Sequence, residues 1–124
     1  IMFCTDGGKH GTHPRGAGSF PRVLARYVRM THLLTLEGAI RKMTGLPAWR
    51  MGFHDRGLLQ VGKKADIVLF NPYTVLDTAT TAHPNTPPVG LPYVIVNGVP
   101  VLDGGRMTGS RPGMVLRHPD PLKR

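Results

Sequence analysis

The first residues able to do chemistry stand close together. Asp6 ends an apolar run, IMFCT, and a glycine-rich loop follows that carries His10, His13 and Arg15. Side chains alternate along an extended chain, so Met2, Cys4 and Asp6 share one face while Ile1, Phe3 and Thr5 share the other. A carboxylate pointing the same way as apolar neighbours is costly unless it is paired or coordinated. Two roles fit: an acid–base group at a strand end, or a cap on the turn into Gly7-Gly8. The local pattern leaves both open. The glycines between Gly7 and Gly18 let a ligand approach the backbone. Arg15 suits bidentate recognition of a carboxylate, and its plainer role is a loop ion pair.

His10 and His13 are three residues apart, which invites a metal site. Zinc needs three or four ligands, and no further Cys or His cluster accompanies them. His13 is therefore read as ordering the loop beside Arg15, with direct substrate contact as its second role. His10 is read as solvent-exposed, and no metal ligand is assigned in this chain. His32, His54, His83 and His118 stand alone as surface or loop residues. Cys4 is the only cysteine, so an internal disulfide is excluded and a reducing cytoplasm is expected. Its expected role is that of a small core residue.

The elements that must hold these groups follow from periodicity. IMFCT reads as a short strand buried on both faces, as in a parallel sheet. Ser19 can cap a helix with Pro21 in its first turn and an apolar stripe of Val23, Leu24, Tyr27 and Val28. Arg22, Arg26 and Arg29 fall on its opposite, solvated side. A second helix is capped by Thr35 and buries Leu36, Ala39, Ile40 and Met43, with Gly38 where a capping box would place Glu or Gln. Gly45 reads as its stop, and Pro47 opens a short turn to Gly52 in which Trp49 packs. From Gly57 onward LLQVG, ADIVLFNP, YVIVNGVPVLDGG and PGMVLR read as strands. Asn97-Gly98 marks a hairpin because both central residues of that turn need positive φ. Pro100 puts its strand at a sheet edge or start. TATTAHPNTPPVG reads as an ordered excursion or flexible loop with no catalytic pattern, and RHPDPLKR as a disordered tail.

Composition narrows the function classes. The chain has 124 residues, 40% of them apolar, enough for one core. Its net charge of +9 suggests nucleic acid. The basic residues are spread evenly, however, and the 6% of aromatic residues offers little for base stacking. No apolar stretch approaches the roughly 20 residues that span a bilayer, and the start lacks the pattern of a secretory signal. Neither nucleic acid nor a membrane is expected as a partner. One parallel strand has no partner in this sequence, so its neighbours are expected upstream. The chain is accordingly expected to be a fragment.

The succession of Asp6-Gly7-Gly8, His13-Pro14-Arg15, SFPRVLARYVR, TLEGAIRKMTGLPAWRMG and DRGLLQVGKKADIVLFNP resembles the C-terminal part of D-aminoacylases. These are N-acyl-D-amino-acid deacylases of the amidohydrolase superfamily. GLPYVIVNGVPVLDGGRMTGSRPGMVLR is similar to the end of the same proteins. G-x-x-x-x-G-x-x-ADIVLF followed by VNG-x-x-V marks the superfamily. The Asp6, His13-Pro14-Arg15, FPRVLARYVR and KMTGLPAWRMG combination points to the D-aminoacylase group. Gly38 and Trp49 depart from the expected Glu and Ala.

The resemblance implies an α/β architecture: the C-terminal fragment of a metal-dependent TIM-barrel hydrolase followed by part of a small β-sandwich. Residues 1–55 would be the last barrel strand, active-site loop and closing helices. Residues 56–124 would be the C-terminal strands of the sandwich plus a tail. Barrel active sites lie at the C-terminal strand ends, which favours catalysis at Asp6. The implied reaction is zinc-dependent hydrolysis of N-acyl-D-amino acids. Asp6 would be general base and acid, Arg15 and His13 would contact substrate, and the Zn2+ ligands would lie upstream. The fragment alone is expected to be inactive. The alternatives are a cyclic-amide hydrolase of the hydantoinase or dihydroorotase kind, or a non-enzymatic basic binding module.

Overall fold

A computed structural model describes residues 1–8 and 11–118. Its helical part comprises α1 (Arg15–Arg22), a π-helical continuation (Val23–Met30), α2 (Leu36–Met43) and α3 (Gly45–Arg50). A four-stranded antiparallel sheet follows, ordered β1 (Ile67–Leu69), β2 (Tyr93–Val96), β3 (Val99–Asp103) and β4 (Arg106–Met107).

Residues 1–8 form no strand. A parallel strand exists only by virtue of its neighbours, and among the described residues none offers it a ladder. The segment is tied to the helices by the Phe3 N–H, which donates to the Lys42 carbonyl at 3.0 Å. The two-face alternation survives in part. Phe3 and Thr5 turn inward, and Met2, Cys4 and Asp6 turn out. Cys4 is thus exposed, not a core residue.

The first helix begins four residues before Ser19. Pro14 presets a helical φ of −60°, and the Arg15 N–H donates to His13 Nδ1 at 3.1 Å, so His13 supplies the capping acceptor expected of Ser19. RGAGSFPR is a poor helix former by propensity, so tertiary contacts hold it. A Cβ on buried Gly18 would lie 3.4 Å from Asp77 Cβ, which makes that glycine a point of close approach. Pro21 cannot donate an N–H, and beyond it the hydrogen bonding widens to the π pattern. Its end is marked by the Thr31 N–H donating to the Arg26 carbonyl, five residues back, at 2.9 Å.

Thr35 caps α2 as its sequence suggests, accepting from the Gly38 N–H at 3.1 Å. Gly45 does not stop that helix in a left-handed conformation; it opens α3. Its small size serves packing instead. A Cβ on Gly45 would lie 3.2 Å from Leu58 Cδ2, and one on Gly57 would lie 2.5 Å from Ala48 Cβ. Trp49 does not pack inward; it is 65% exposed.

Val23, Leu24, Ala39 and Val75 form the buried core, ringed by Phe3, Val28, Leu34, Ile40, Phe70 and Leu91 among others. Val75 belongs to the later half of the chain yet is fully buried among the helices. Two arginines fasten that segment and so are not merely solvated. Arg29 donates to the carbonyls of Pro72 and Val75, both at 2.9 Å, and Arg22 pairs with Asp77 at 2.9 Å.

The hairpin forms where Asn97 (φ 48°) and Gly98 (φ 81°) provide its turn. Pro100 stands in a strand with neighbours on both sides, but at its level β4 has ended: Leu102 and Asp103 alone pair with β4. A register shift against Val94 and Ile95 accommodates it. LLQVG and PGMVLR form no strands, because no described residue pairs with them. No helix among the described residues is long and apolar enough to cross a membrane.

Candidate functional site

Asp6, His13 and Arg15 come together on one cavity of about 670 Å³, which Thr5, Gly7, Gly8, Thr12, Gly16 and Asn85 also line. Three local devices shape it. Asp6 adopts a left-handed φ of 49°, which an aspartate tolerates better than most residues but which still carries strain. Gly7 lies so close to α1 that an added Cβ would stand 2.9 Å from Gly16 Cα, so two glycines allow loop and helix to touch. The Gly7 N–H donates to Thr5 Oγ1 at 3.2 Å.

Arg15 Nη2 meets Asp6 Oδ2 at 2.7 Å. Both side chains are largely open to solvent, at 51% for Arg15 and 72% for Asp6. An ion pair so exposed contributes at most about 1 kcal/mol, so either partner can be drawn to a ligand at little cost. His13 uses Nδ1 as an acceptor, which puts the proton of its neutral ring on Nε2. That leaves Nε2–H as the donor available to a ligand. His10 lies outside the described residues, as do Pro119 to Arg124.

Among the described residues no group of three His, Cys, Asp or Glu side chains could hold a metal ion. Asp6, moreover, already faces a guanidinium. The described residues therefore do not fit a metal centre by themselves. Asn85 is the lining residue that sequence reading missed. It belongs to the TATTAHPNTPPVG excursion, and no local pattern marks it as close to Asp6. Only the fold of 71–91 against the helices brings it there.

The cavity thus sets a carboxylate at the end of an apolar segment beside a guanidinium, on a lining rich in glycine. Residues 5–102 match the amidohydrolase family, and the chain belongs to it. It is similar, more narrowly, to D-aminoacylases: it is 49% identical to that of Alcaligenes xylosoxydans xylosoxydans over 117 residues. That match takes in 93% of this chain and 24% of the relative, so the chain spans about a quarter of the relative's length. A D-aminoacylase mutant solved in complex with copper chloride superposes with a TM-score of 0.80 at 47% identity, over 84% of this chain and 22% of that one. N-acyl-D-glutamate deacylase of Bordetella bronchiseptica was solved with zinc and a phosphonate that mimics the tetrahedral intermediate. It superposes with a TM-score of 0.76 at 51% identity, over 85% of this chain and 22% of that one.

Proposed function

We propose that this chain is the Asp6-bearing part of a zinc-dependent enzyme that hydrolyses N-acyl-D-amino acids to a carboxylate and a D-amino acid. The observation that carries this is the Asp6–Arg15 pair on a shared cavity, in a chain 49% identical to a D-aminoacylase. Zinc, as in the deacylase solved with the phosphonate, would supply an activated water and polarise the acyl carbonyl. The described residues do not form its site.

The roles of this chain's own groups follow from their chemistry. The Asp6 carboxylate takes a proton from water as the water oxygen adds to the acyl carbon. It returns that proton to the nitrogen as the carbon–nitrogen bond breaks. Arg15 turns from Asp6 to the substrate carboxylate, which offers it a bidentate partner. His13 holds the start of α1, which carries Arg15, and can donate from Nε2 to the same substrate.

The same reading divides the chain into residues 1–55, closing a TIM barrel, and residues 56–124, contributing to a small β-sandwich. Val75 and Asp77 would be where the second part docks on the first. The partner is a small molecule and not nucleic acid, in keeping with arginines 15, 22, 29 and 56 being engaged within the fold. The single cysteine, free and exposed, suits the reducing cytoplasm. With no set of metal ligands among its described residues, the chain alone would be inactive.

The test is a steady-state assay of the full-length enzyme carrying this chain, loaded with zinc. N-acyl-D-amino acids should be hydrolysed and their L-enantiomers not. Turnover of cyclic amides such as hydantoins, with acyl-D-amino acids untouched, would overturn the reading.

A further inference from the structure

The Asp6 cavity has two walls of different origin. Every described lining residue but one comes from 5–8 or 11–17, and Asn85 faces them from the other half of the chain. Among the described residues its side-chain amide has no hydrogen-bond partner. The loop that carries it is nonetheless braced. Leu76 and Val89 bridge at its base, and Thr78 Oγ1 donates to the Pro87 carbonyl at 2.6 Å. Thr80 and His83 exchange backbone bonds at 3.1 Å, and Thr86 Oγ1 donates to the His83 carbonyl at 3.0 Å. Pro84, Pro87 and Pro88 restrict φ on either side of Asn85. A loop so held presents its amide at a small entropic cost to any ligand that bonds it.

We infer that Asn85 is a substrate-positioning residue whose amide hydrogen-bonds the side chain of the N-acyl-D-amino acid. The inference rests on the proposed function. In such a substrate the scissile nitrogen and the carboxylate are attached to the same carbon. Asp6 and Arg15 both belong to the wall made by residues from 5–8 and 11–17. With those two substituents turned to that wall, the hydrogen and the side chain of that carbon both face away from it. The space on that side, where the side chain has room, is the part of the cavity that Asn85 lines. A neutral amide can donate to a polar or acidic side chain there, whereas a carboxylate in its place would repel an acidic one.

The test is made in the zinc-loaded full-length enzyme, with N-acetyl-D-glutamate and N-acetyl-D-leucine compared for wild type, Asn85→Ala and Asn85→Asp. Asn85→Asp should lower kcat/KM for the glutamate substrate about ten-fold relative to the leucine one, mostly through KM. Asn85→Ala should raise KM for the glutamate substrate and leave leucine turnover near wild type. A uniform fall for both substrates would mean that Asn85 only braces the loop, and an unchanged ratio would mean that it touches no substrate; either overturns the inference. Failure of the wild type on both substrates overturns the proposed function itself, and the inference with it.

Discussion

The β2–β3 hairpin and the Asp6 loop both turn on residues of positive φ, yet they are held in different ways. At the hairpin, Asn97 and Gly98 are residues that accept such angles, and the flanking strands pair directly. Two bonds to the segment leading into β1 add to this: the Asn97 N–H donates to Asp66 Oδ1, 31 residues away, at 2.8 Å, and the Gly98 N–H to the Ala65 carbonyl at 2.9 Å. At Asp6 the φ of 49° has no paired strands beside it, and what sustains it is the ion pair to Arg15, the contact of Gly7 with Gly16, and the Phe3 bond to Lys42. The helix that offers those contacts is itself poor in propensity and leans on Asp77. A turn backed by paired strands and remote from the Asp6 cavity can be changed without touching chemistry, while the loop that carries Asp6 cannot.

The largest blow to that contrast comes from Gly7→Val. The new Cβ would be driven against Gly16 Cα at 2.9 Å, where only backbone can yield. Displacing Asp6 by the resulting fraction of an ångström or more should cut kcat/KM by about 10²-fold in the full-length enzyme. A variant with wild-type kinetics would mean that the loop does not depend on α1. Next in size is Val75→Ala, which removes two methyl groups from a fully buried site that joins the later half of the chain to the helices. Denaturant titration should read a loss of ~2 kcal/mol. A loss well under half of that would show that the junction is loosely packed. The smallest effect belongs to Gly98→Ala. Nothing lies within 4 Å of the added Cβ, so only the backbone penalty at φ 81° remains. Stability should drop by about 1 kcal/mol with kinetics unchanged. Lost activity there would erase the distinction between the two turns.

What was legible in the sequence follows the same division. Thr35 as a cap, Asn97-Gly98 as a turn, and the strands around it depend on neighbours within a few residues, and all three are seen. The strand over IMFCT and those over LLQVG and PGMVLR depend on partners elsewhere, and none is found among the described residues. The helix start was misplaced because Ser19 offered a stronger local signal than His13, whose ring nitrogen does the capping. Arg22 and Arg29 read as a solvated face because periodicity cannot see a segment returning from 43 to 55 residues away to meet them. At the candidate site, Asp6, His13 and Arg15 were legible because one short loop carries them. Asn85 was not, because only tertiary folding brings it to that loop.

The central claim is that Asp6 moves the proton. Asp6→Asn keeps the size of the side chain and most of its hydrogen-bonding reach but removes the base. In the full-length enzyme, with bound zinc measured in the same sample, kcat for an N-acyl-D-amino acid should fall by about 10²–10⁴-fold while metal content stays at the wild-type level. Turnover near wild type with zinc in place would contradict the account.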